Sequence, residues 1–125
     1  MTGVTLDAGA LIAHERRSRV VELFLRDALA ADERITIPAG ALAQVFRDGA
    51  RQARLARLLD FESTDVVPLD AVAARLVGRI CAATGATDVI DVSVVLCARA
   101  RRQPVLTSDT RDLLRIDPNL EVVEV

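Results

Sequence analysis

The sequence predicts a three-layer α/β/α sandwich built around a mainly parallel sheet of four or five strands. Short apolar runs bounded by polar or turn residues alternate along the chain with longer segments in which apolar residues follow helical spacing. This alternation is typical of parallel sheets, because two parallel strands are joined by a crossover that is usually a helix. The predicted strands are residues 3–7, 34–38, 65–69, 104–108 and 120–125.

Helical periodicity and capping residues place the helices between these strands. From Val20 to Ala31 the apolar residues stand at positions 20, 21, 24, 25, 28 and 29, which puts them on one helix face. Asp70 is a favourable N-cap, and Gly85 is a favourable residue just past a helix end. The predicted helices are residues 8–14, 20–31, 39–48, 51–59, 71–84, 88–101 and 111–114.

Composition excludes several classes of enzyme. The chain has 125 residues, 51% of them apolar, which suits one domain with a substantial core. All sixteen basic residues are arginine, so a Walker A loop and a Schiff-base enzyme, which both need lysine, are excluded. The net charge of −2 argues against a broad basic surface that coats nucleic acid, but it is compatible with a local one.

The thiols and the single histidine are not expected to carry chemistry. Cys81 and Cys97 lie in apolar helical stretches without CxxC spacing, so we expect both to be buried thiols. His14 is alone, which excludes multi-histidine zinc sites, and we expect it to face solvent. No apolar run approaches the roughly 20 residues that span a bilayer, and the N-terminus lacks a signal-peptide pattern. The sequence therefore predicts a cytoplasmic protein.

Three aspartates stand where an α/β fold would gather an acidic site. Asp7 ends the first predicted strand, Asp109 follows the fourth, and Asp91 lies in the first turn of a predicted helix. The carboxyl ends of parallel strands and the amino ends of the following helices share one edge of the sheet. Carboxylates gathered there repel one another unless a cation lies between them, and Mg²⁺ prefers oxygen ligands. The sequence therefore predicts a divalent metal site, although each aspartate could instead only cap a helix.

Further polar residues accompany these aspartates. Asp88 precedes Asp91 by three positions and is either the N-cap of that helix or an additional, provisional metal ligand. Asp112 is expected to orient its loop or cap a helix rather than to bind metal directly. Thr107 and Ser108 either hydrogen-bond a phosphate or a metal-bound water, or cap a turn.

A set of arginines predicts a local basic surface. Arg47, Arg51, Arg54 and Arg57 are spaced four, three and three residues apart, which on a continuous helix would form one stripe. Guanidinium groups bind phosphates bidentately, so Arg47, Arg51 and Arg54 are candidate contacts to an RNA backbone. The alternative is a solvated helix face.

Four segments form an ordered set of motifs along the chain. They are LDAGALIA at 6–13, PAGALAQV at 38–45, DVSVVLCA at 91–98 and VLTSDTRDL at 105–113. This set resembles the PIN domain, and more specifically the VapC-type toxins of bacterial toxin–antitoxin pairs. The resemblance covers the chain as a single PIN-like domain, residues 1–125. It implies a ribonuclease, a hydrolase that depends on Mg²⁺ or Mn²⁺, is commonly dimeric and is neutralised by a small antitoxin.

On this resemblance Asp7, Asp91 and Asp109 match the first, third and fourth acidic positions of the family, and would be the catalytic and metal-binding residues. The second position is usually a glutamate and corresponds to Gln44 here. An amide adds no charge and cannot act as a base, so the alternative is a PIN-fold binding or regulatory protein with weak or no activity. Gln44 interrupts an apolar helix face; if it is buried, its amide needs partners, which the acidic cluster could supply.

A phosphatase or phosphotransferase with Asp7 as nucleophile is a third hypothesis, and the sequence disfavours it. The haloacid-dehalogenase-like pattern needs Asp-x-Asp, whereas residue 9 is glycine, and the assisting lysine is missing.

Overall fold

Five strands form one sheet in the computed structural model, which describes residues 3–125. They are β1 (Gly3–Leu6), β2 (Arg34–Pro38), β3 (Thr64–Val67), β4 (Val105–Thr107) and β5 (Val122–Glu124). Every pairing is parallel, and the strand order is β3-β2-β1-β4-β5. The predicted fold class is confirmed, with the sheet at the upper limit of the predicted strand number.

The helices follow the predicted order, and their best capping signals are confirmed. The carboxylate of Asp70 accepts a hydrogen bond from the backbone N–H of Ala73 at 2.9 Å, and Gly85 ends the helix in the left-handed conformation with φ of 75°. The helices are α1 (Ala8–Glu15), α2 (Arg19–Ala30), α3 (Ala39–Val45), α4 (Ala53–Leu59), α5 (Ala71–Thr84), α6 (Val89–Arg101) and α7 (Thr110–Ile116). No single helix within residues 3–125 is long and apolar enough to cross a bilayer; α5 and α6 meet that test only together, across a bend of 107°.

Two apolar clusters hold the three layers together. Side chains alternate between the two faces of a strand. Leu6, Ile37 and Leu106 pack in the cluster formed with α1, α2 and α4. Val105 packs in the other cluster with Val94 of α6 and with α7. Because helices cover both faces, β1 is buried along its whole length, which fixes the position of the residue that follows it.

The segment between α3 and α4 is a loop rather than the ends of two longer helices. Helix α3 ends at residue 45 instead of 48, and α4 begins at residue 53 instead of 51. The carboxamide of Gln52 organises this loop: its oxygen accepts the N–H groups of Arg47 and Asp48 at 2.8 and 3.0 Å. Its nitrogen donates to the carbonyl of Val45 at 2.9 Å. These side-chain bonds replace the backbone bonds that continued helices would make.

His14 is buried, so the predicted solvent-facing position is wrong. Its Nδ1 lies 2.9 Å from the carboxylate of Glu22, and its Nε2 lies 3.3 Å from the carbonyl oxygen of Arg54. Arg54 also pairs with Glu22, so one polar cluster joins α1, α2 and α4. The carboxylate of Glu15 accepts the N–H of Leu55 at 2.8 Å, which supplies a cap that α4 does not obtain from its own N-cap residue.

Helix α5 lies at the margin of the fold. It packs mainly against α6, and Val77 is its one buried residue. Cys97 of α6 is buried as predicted, but Cys81 of α5 is only half-buried, because so much of α5 faces outward. Val72, an apolar residue on this helix, is 71% exposed. The helix therefore presents apolar surface without a partner element in the described part of the chain.

The close approach of α1 to the residues after β4 gives a test of the packing. A Cβ placed on Gly9 would lie 2.0 Å from Oγ and 2.9 Å from Cβ of Ser108, whereas a Cβ on Gly78 of α5 would meet nothing within 4 Å. We expect Gly9→Ala to lower the free energy of unfolding by about 1–3 kcal/mol, because it overpacks this contact. Gly78→Ala is the matched control and should raise it by roughly 0.5–1 kcal/mol through better helix propensity.

Denaturant unfolding of both variants measures these changes. Adding Ser108→Gly to Gly9→Ala removes the clashing side chain and should recover most of the lost stability. Equal stabilisation by the two alanine substitutions would contradict the described contact.

Candidate metal centre

The candidate site lies between β1 and β4, where the order of the strands in the sheet changes direction. The chain forms β1, β2 and β3 towards one edge and then crosses back to place β4 on the other side of β1. In open parallel sheets, ligands bind beyond the carboxyl ends of the strands at such a switch point. Asp7 directly follows β1, and Asp109 follows β4 by two residues. The N–H of Asp7 donates to the carbonyl of Leu106 at 3.3 Å, so pairing with the β4 strand continues up to the site.

Asp7 is held in place from several sides. It is the N-cap of α1, with Oδ1 accepting the N–H of Ala10 at 2.9 Å, and it is only 7% exposed. Burial raises the pKa of Asp7, and hydrogen bonds from Thr107, Ala10 and Gly9 oppose that rise. The buried hydroxyl of Thr107 also accepts the N–H of Asp109 at 2.8 Å. Thr107 therefore connects the ends of the two strands, which is the turn-capping role that was one of its two predicted alternatives.

Asp88 and Asp91 form the amino end of α6. Asp88 is the N-cap, and its Oδ1 accepts the N–H groups of Ile90 and Asp91, both at 3.0 Å. Asp91 is the third helical residue and is half-buried, whereas Asp88 is exposed. Asp88 therefore caps α6, and its Oδ1 already accepts two backbone hydrogen bonds.

Asp91, Asp109 and Asp112 bring their carboxylates together. One oxygen from each lies within 4.8 Å of the other two. Asp91 lies in the first turn of α6 and Asp112 in the first turn of α7. Asp109 is the residue directly before α7. Sequence reasoning placed Asp112 beside the site, whereas the structure puts it in this group. The signal that could have found it is its position three residues after Asp109, on the same side of a helix start.

The electrostatics of the group reflect this crowding. Burial raises the pKa of Asp91 to about 6, and the negative charges of Asp88, Asp109, Asp112 and Asp7 add to the rise. The pKa of Asp109 is also raised, first by loss of solvent and then by hydrogen bonding and repulsion with Asp112. Within residues 3–125, the group of three carboxylates does not include Asp7. The negative charge of Asp7 nevertheless contributes to the raised pKa values of Asp91 and Asp109.

These residues fit a divalent cation. Oxygens on opposite sides of a bound Mg²⁺ lie about 4.2 Å apart, twice the usual 2.1 Å bond, so three oxygens within 4.8 Å need little movement to share one ion. The pKa of Asp91 is raised first by burial and then by the neighbouring carboxylates, and the one ion pair found for the group among residues 3–125 is the exposed Arg115–Asp112 contact at 3.4 Å. A cation between the carboxylates would remove this repulsion.

Within residues 3–125, Gln44 is not a buried side chain hydrogen-bonded to the acidic group. It lies in the last turn of α3 and is exposed, and none of the hydrogen bonds found within residues 3–125 links it to the carboxylates. The possibility that it is a buried amide satisfied by the acids is therefore wrong, whereas its predicted role beside the site, in positioning the substrate, stays a prediction. Helix α3 instead packs through Ala41, which is fully buried, and through Gly40, whose Cβ position would lie 3.2 Å from Ile90 at the start of α6.

The arginines do not form the stripe that their spacing suggested. Arg47 and Arg51 lie in the loop between α3 and α4, and only Arg54 and Arg57 lie on a helix. Arg54 donates to the carbonyl of His14 at 3.0 Å and pairs with Glu22, so its guanidinium is engaged within the fold. Arg47 and Arg51 are exposed.

Comparison with known proteins agrees with this architecture. The chain matches the family model for the PIN domain over residues 4–118. Comparison with curated protein sequences gives no significant match. The fold is similar to a chain in the crystal structure of VapBC2 from Rickettsia felis bound to a DNA fragment from their promoter, with 17% identity, 98% of each chain covered and a TM-score of 0.70.

Two further structures show the same likeness. The fold is similar to a chain of DNA-bound VapBC from Salmonella typhimurium, with 21% identity, 99% of this chain and 98% of that chain covered, and a TM-score of 0.68. It is also similar to a chain of FitAcB from Neisseria gonorrhoeae, with 18% identity, 95% of each chain covered and a TM-score of 0.61. At these identities the likeness shows a shared fold.

Crowding of the acids predicts a pH-dependent stability in metal-free protein. Asp91 has a pKa of about 6 in the folded protein and 3.8 as a free side chain, so between these values the folded state holds a proton that the unfolded chain has lost. Stability should therefore fall as pH rises from about 4 to about 6. Thermal melting in EDTA across this range should show the decrease for the wild type and a smaller one for Asp91→Asn.

Asp27→Asn is the control for this measurement, because Asp27 is an exposed residue of α2. It should follow the wild-type curve. A metal-free melting temperature that rises with pH in the same window for the wild type, but not for Asp91→Asn, would contradict the assigned pKa shift.

Proposed function

Because the chain belongs to the PIN domain family, we propose that it is a metal-dependent endoribonuclease toxin of the VapC type, which hydrolyses RNA phosphodiester bonds and is neutralised by a cognate antitoxin. PIN domains are nucleases as a family. The observation that carries the proposal is the convergence of Asp91, Asp109 and Asp112 within 4.8 Å at the switch point of the sheet. Oxygen-only donors of this kind favour Mg²⁺ or Mn²⁺ over zinc or copper.

Each acidic residue has a distinct part in the proposed reaction. Asp91, Asp109 and Asp112 would hold the ion, a set that replaces the predicted ligand Asp7 and the provisional ligand Asp88 with Asp112. Such an ion would lower the pKa of water and offset charge on the phosphate. Asp7 follows β1 at the same edge of the sheet, and we assign to its carboxylate the proton lost by the attacking water. The water oxygen forms a bond to phosphorus, and the bond from phosphorus to the departing sugar oxygen breaks, with that oxygen taking a proton from solvent.

The substrate is proposed to be RNA in a single-stranded or looped form. Its bases would then be exposed, and selection of a cleavage site would come from RNA shape and those bases. Arg47 and Arg51 are exposed and stay the proposed contacts to the RNA backbone. Arg54, the third predicted contact, is a weaker candidate because it is half-buried and Glu22 and His14 already engage its guanidinium. Arg47 also donates from Nη1 to the carbonyls of Ala43 and Phe46, at 3.0 and 2.7 Å, but it is exposed. Ser108 is exposed beside the site and is a further candidate for positioning the substrate.

The proposed partners are an antitoxin and a second copy of the chain, in the cytoplasm. A cluster of carboxylates attracts guanidinium as it attracts a metal ion, so an antitoxin that places an arginine beside Asp7, Asp91 and Asp109 would block the site. An apolar antitoxin helix laid along the chain would supply the affinity. For the homodimer, the outward apolar surface of α5, with Val72 and Leu76 exposed, is the candidate face.

A PIN-fold binding or regulatory protein without cleavage is the second candidate. Gln44 favours it, because the usual acid at this position is replaced by an amide, which adds no negative charge to the three carboxylates. The two candidates differ in one measurable property, which is turnover of RNA by metal-loaded protein.

Substitutions at Asp112 and Asp88 test which of the two residues binds metal and which only caps a helix. We expect Asp112→Asn to weaken Mn²⁺ binding about tenfold or more, an effect of about 1.4 kcal/mol, since it removes one of three converging charges. Asp88→Asn should change Mn²⁺ affinity much less and leave the melting temperature nearly unchanged, because asparagine caps helices as well as aspartate does. Calorimetric titration with Mn²⁺ measures both variants, and equal losses would contradict the assignment of Asp88 as a cap.

Asp7 links the structure to the proposed toxicity. Expression of the chain without an antitoxin should slow growth with cleavage of cellular RNA, and Asp7→Ala should abolish both effects. The control is Asp27→Ala, at an exposed residue of α2, which should stay toxic. Equal toxicity of the wild type and Asp7→Ala would overturn the nuclease proposal, and RNA that stays intact with metal-loaded wild type would favour the non-cleaving alternative.

A further inference from the structure

A cavity of about 290 Å³ opens directly beside the carboxylate group. One wall is the turn between α5 and α6, including Thr87, and the opposite wall is α7. Asp91 and Asp112 line it and also belong to the three-carboxylate group, so the cavity and the candidate metal site share a border. Its volume is at the lower end of small-molecule sites, which run from about 300 to 1,000 Å³, so it suits one nucleotide unit.

Arg115 is the one cationic side chain among the residues that line this cavity. It stands in the last turn of α7, and its side chain is 71% exposed. Its Nη1 lies 3.4 Å from Oδ1 of Asp112, a long ion pair between residues three apart on the same helix. Exposed pairs of this kind are weak, so the guanidinium is free to turn towards a stronger anion.

The negative charges that line this cavity would repel the phosphates of a nucleic acid. Asp88, Asp91 and Asp112 all line the cavity, and a phosphodiester would be repelled by them. A cation bound by the carboxylates would reduce that repulsion and would also weaken the ion pair between Asp112 and Arg115. The guanidinium can then offer two parallel N–H groups to the two non-bridging oxygens of a phosphate.

We propose that Arg115 holds a backbone phosphate of single-stranded RNA in the cavity between the α5–α6 turn and α7, next to the carboxylate group. Arg115 is then a positioning residue that sets which phosphate reaches the site. The inference rests on the proposed function for the identity of the substrate as RNA. It differs from the arginines suggested by the sequence, because Arg115 borders the acids themselves while Arg47 and Arg51 lie in the α3–α4 loop.

The test measures RNA binding in a background that does not cleave. The parent is Asp7→Asn, which keeps all three converging carboxylates, saturated with Mn²⁺ and titrated with a short fluorescent single-stranded oligoribonucleotide of mixed sequence. Arg115→Ala should weaken binding about tenfold and reduce the slope of log affinity against log salt by about 0.7, the value for one phosphate contact on a single strand. Arg115→Lys should keep the parent slope, because it retains the charge, while recovering only part of the affinity.

Arg26→Ala is the matched control, because Arg26 is an exposed arginine on α2, in the layer of helices opposite α6 and α7. It should leave affinity and slope at the parent values. An unchanged slope for Arg115→Ala, an equal loss from Arg26→Ala, or no RNA binding by the parent would each overturn the inference.

Failure of this inference and failure of the proposed function are distinguishable. RNA cleavage by Mn²⁺-loaded wild type together with an unchanged slope for Arg115→Ala overturns the role of Arg115 alone. A wild type that binds Mn²⁺ and RNA with the expected slope change at Arg115, but leaves RNA intact, supports the phosphate contact and overturns the nuclease.

Discussion

Repulsion among carboxylates at one edge of a parallel sheet is the constraint on which the rest of this structure depends. Asp91, Asp109 and Asp112 meet within 4.8 Å, and Asp7 adds its charge from the end of β1. Without a cation this arrangement opposes folding, because the folded chain has to hold negative charges that the unfolded chain keeps apart. Burial and these neighbouring charges, in that order, raise the pKa of Asp91 to about 6, which reflects that opposition. Stability elsewhere in the fold therefore has to offset the site.

The fold holds the aspartates in place through hydrogen bonds from the backbone and from neighbouring side chains. Asp7 and Asp88 each accept backbone N–H groups at a helix start, where the helix dipole favours negative charge. Thr107 bonds both strand-end aspartates, Asp7 and Asp109. Farther away, the cluster of His14, Glu22 and Arg54 and the cap from Glu15 lock α1 against α2 and α4. Because Asp7 is the N-cap of α1, the contacts that fix this helix also fix the position of Asp7 in the site.

Local signals in the sequence were reliable where one residue and its neighbours decide the outcome. Asp70 and Gly85 predicted both ends of α5, and the pairing of Asp88 as N-cap with Asp91 in the first turn of α6 is present as expected. The positions of Gln44, His14 and the arginines of the α3–α4 loop could not be derived in this way. Gln52 reaches back over the loop to end α3, and His14 is covered by side chains from α2 and α4, so each depends on contacts that spacing alone does not encode.

By itself the sequence determined the fold class, the order of the elements and the fact that Asp7, Asp91 and Asp109 follow strands or begin a helix, because periodicity and capping are properties of short segments. Only the tertiary structure decided which acids meet. Asp112 joins Asp91 and Asp109 because α7 and α6 pack together, while Gln44 is exposed near the end of α3, whose one buried residue is Ala41. The physical reason is that a converging site is set by the crossing of elements far apart in sequence, and the positions of their ends depend on the packing of the whole sheet.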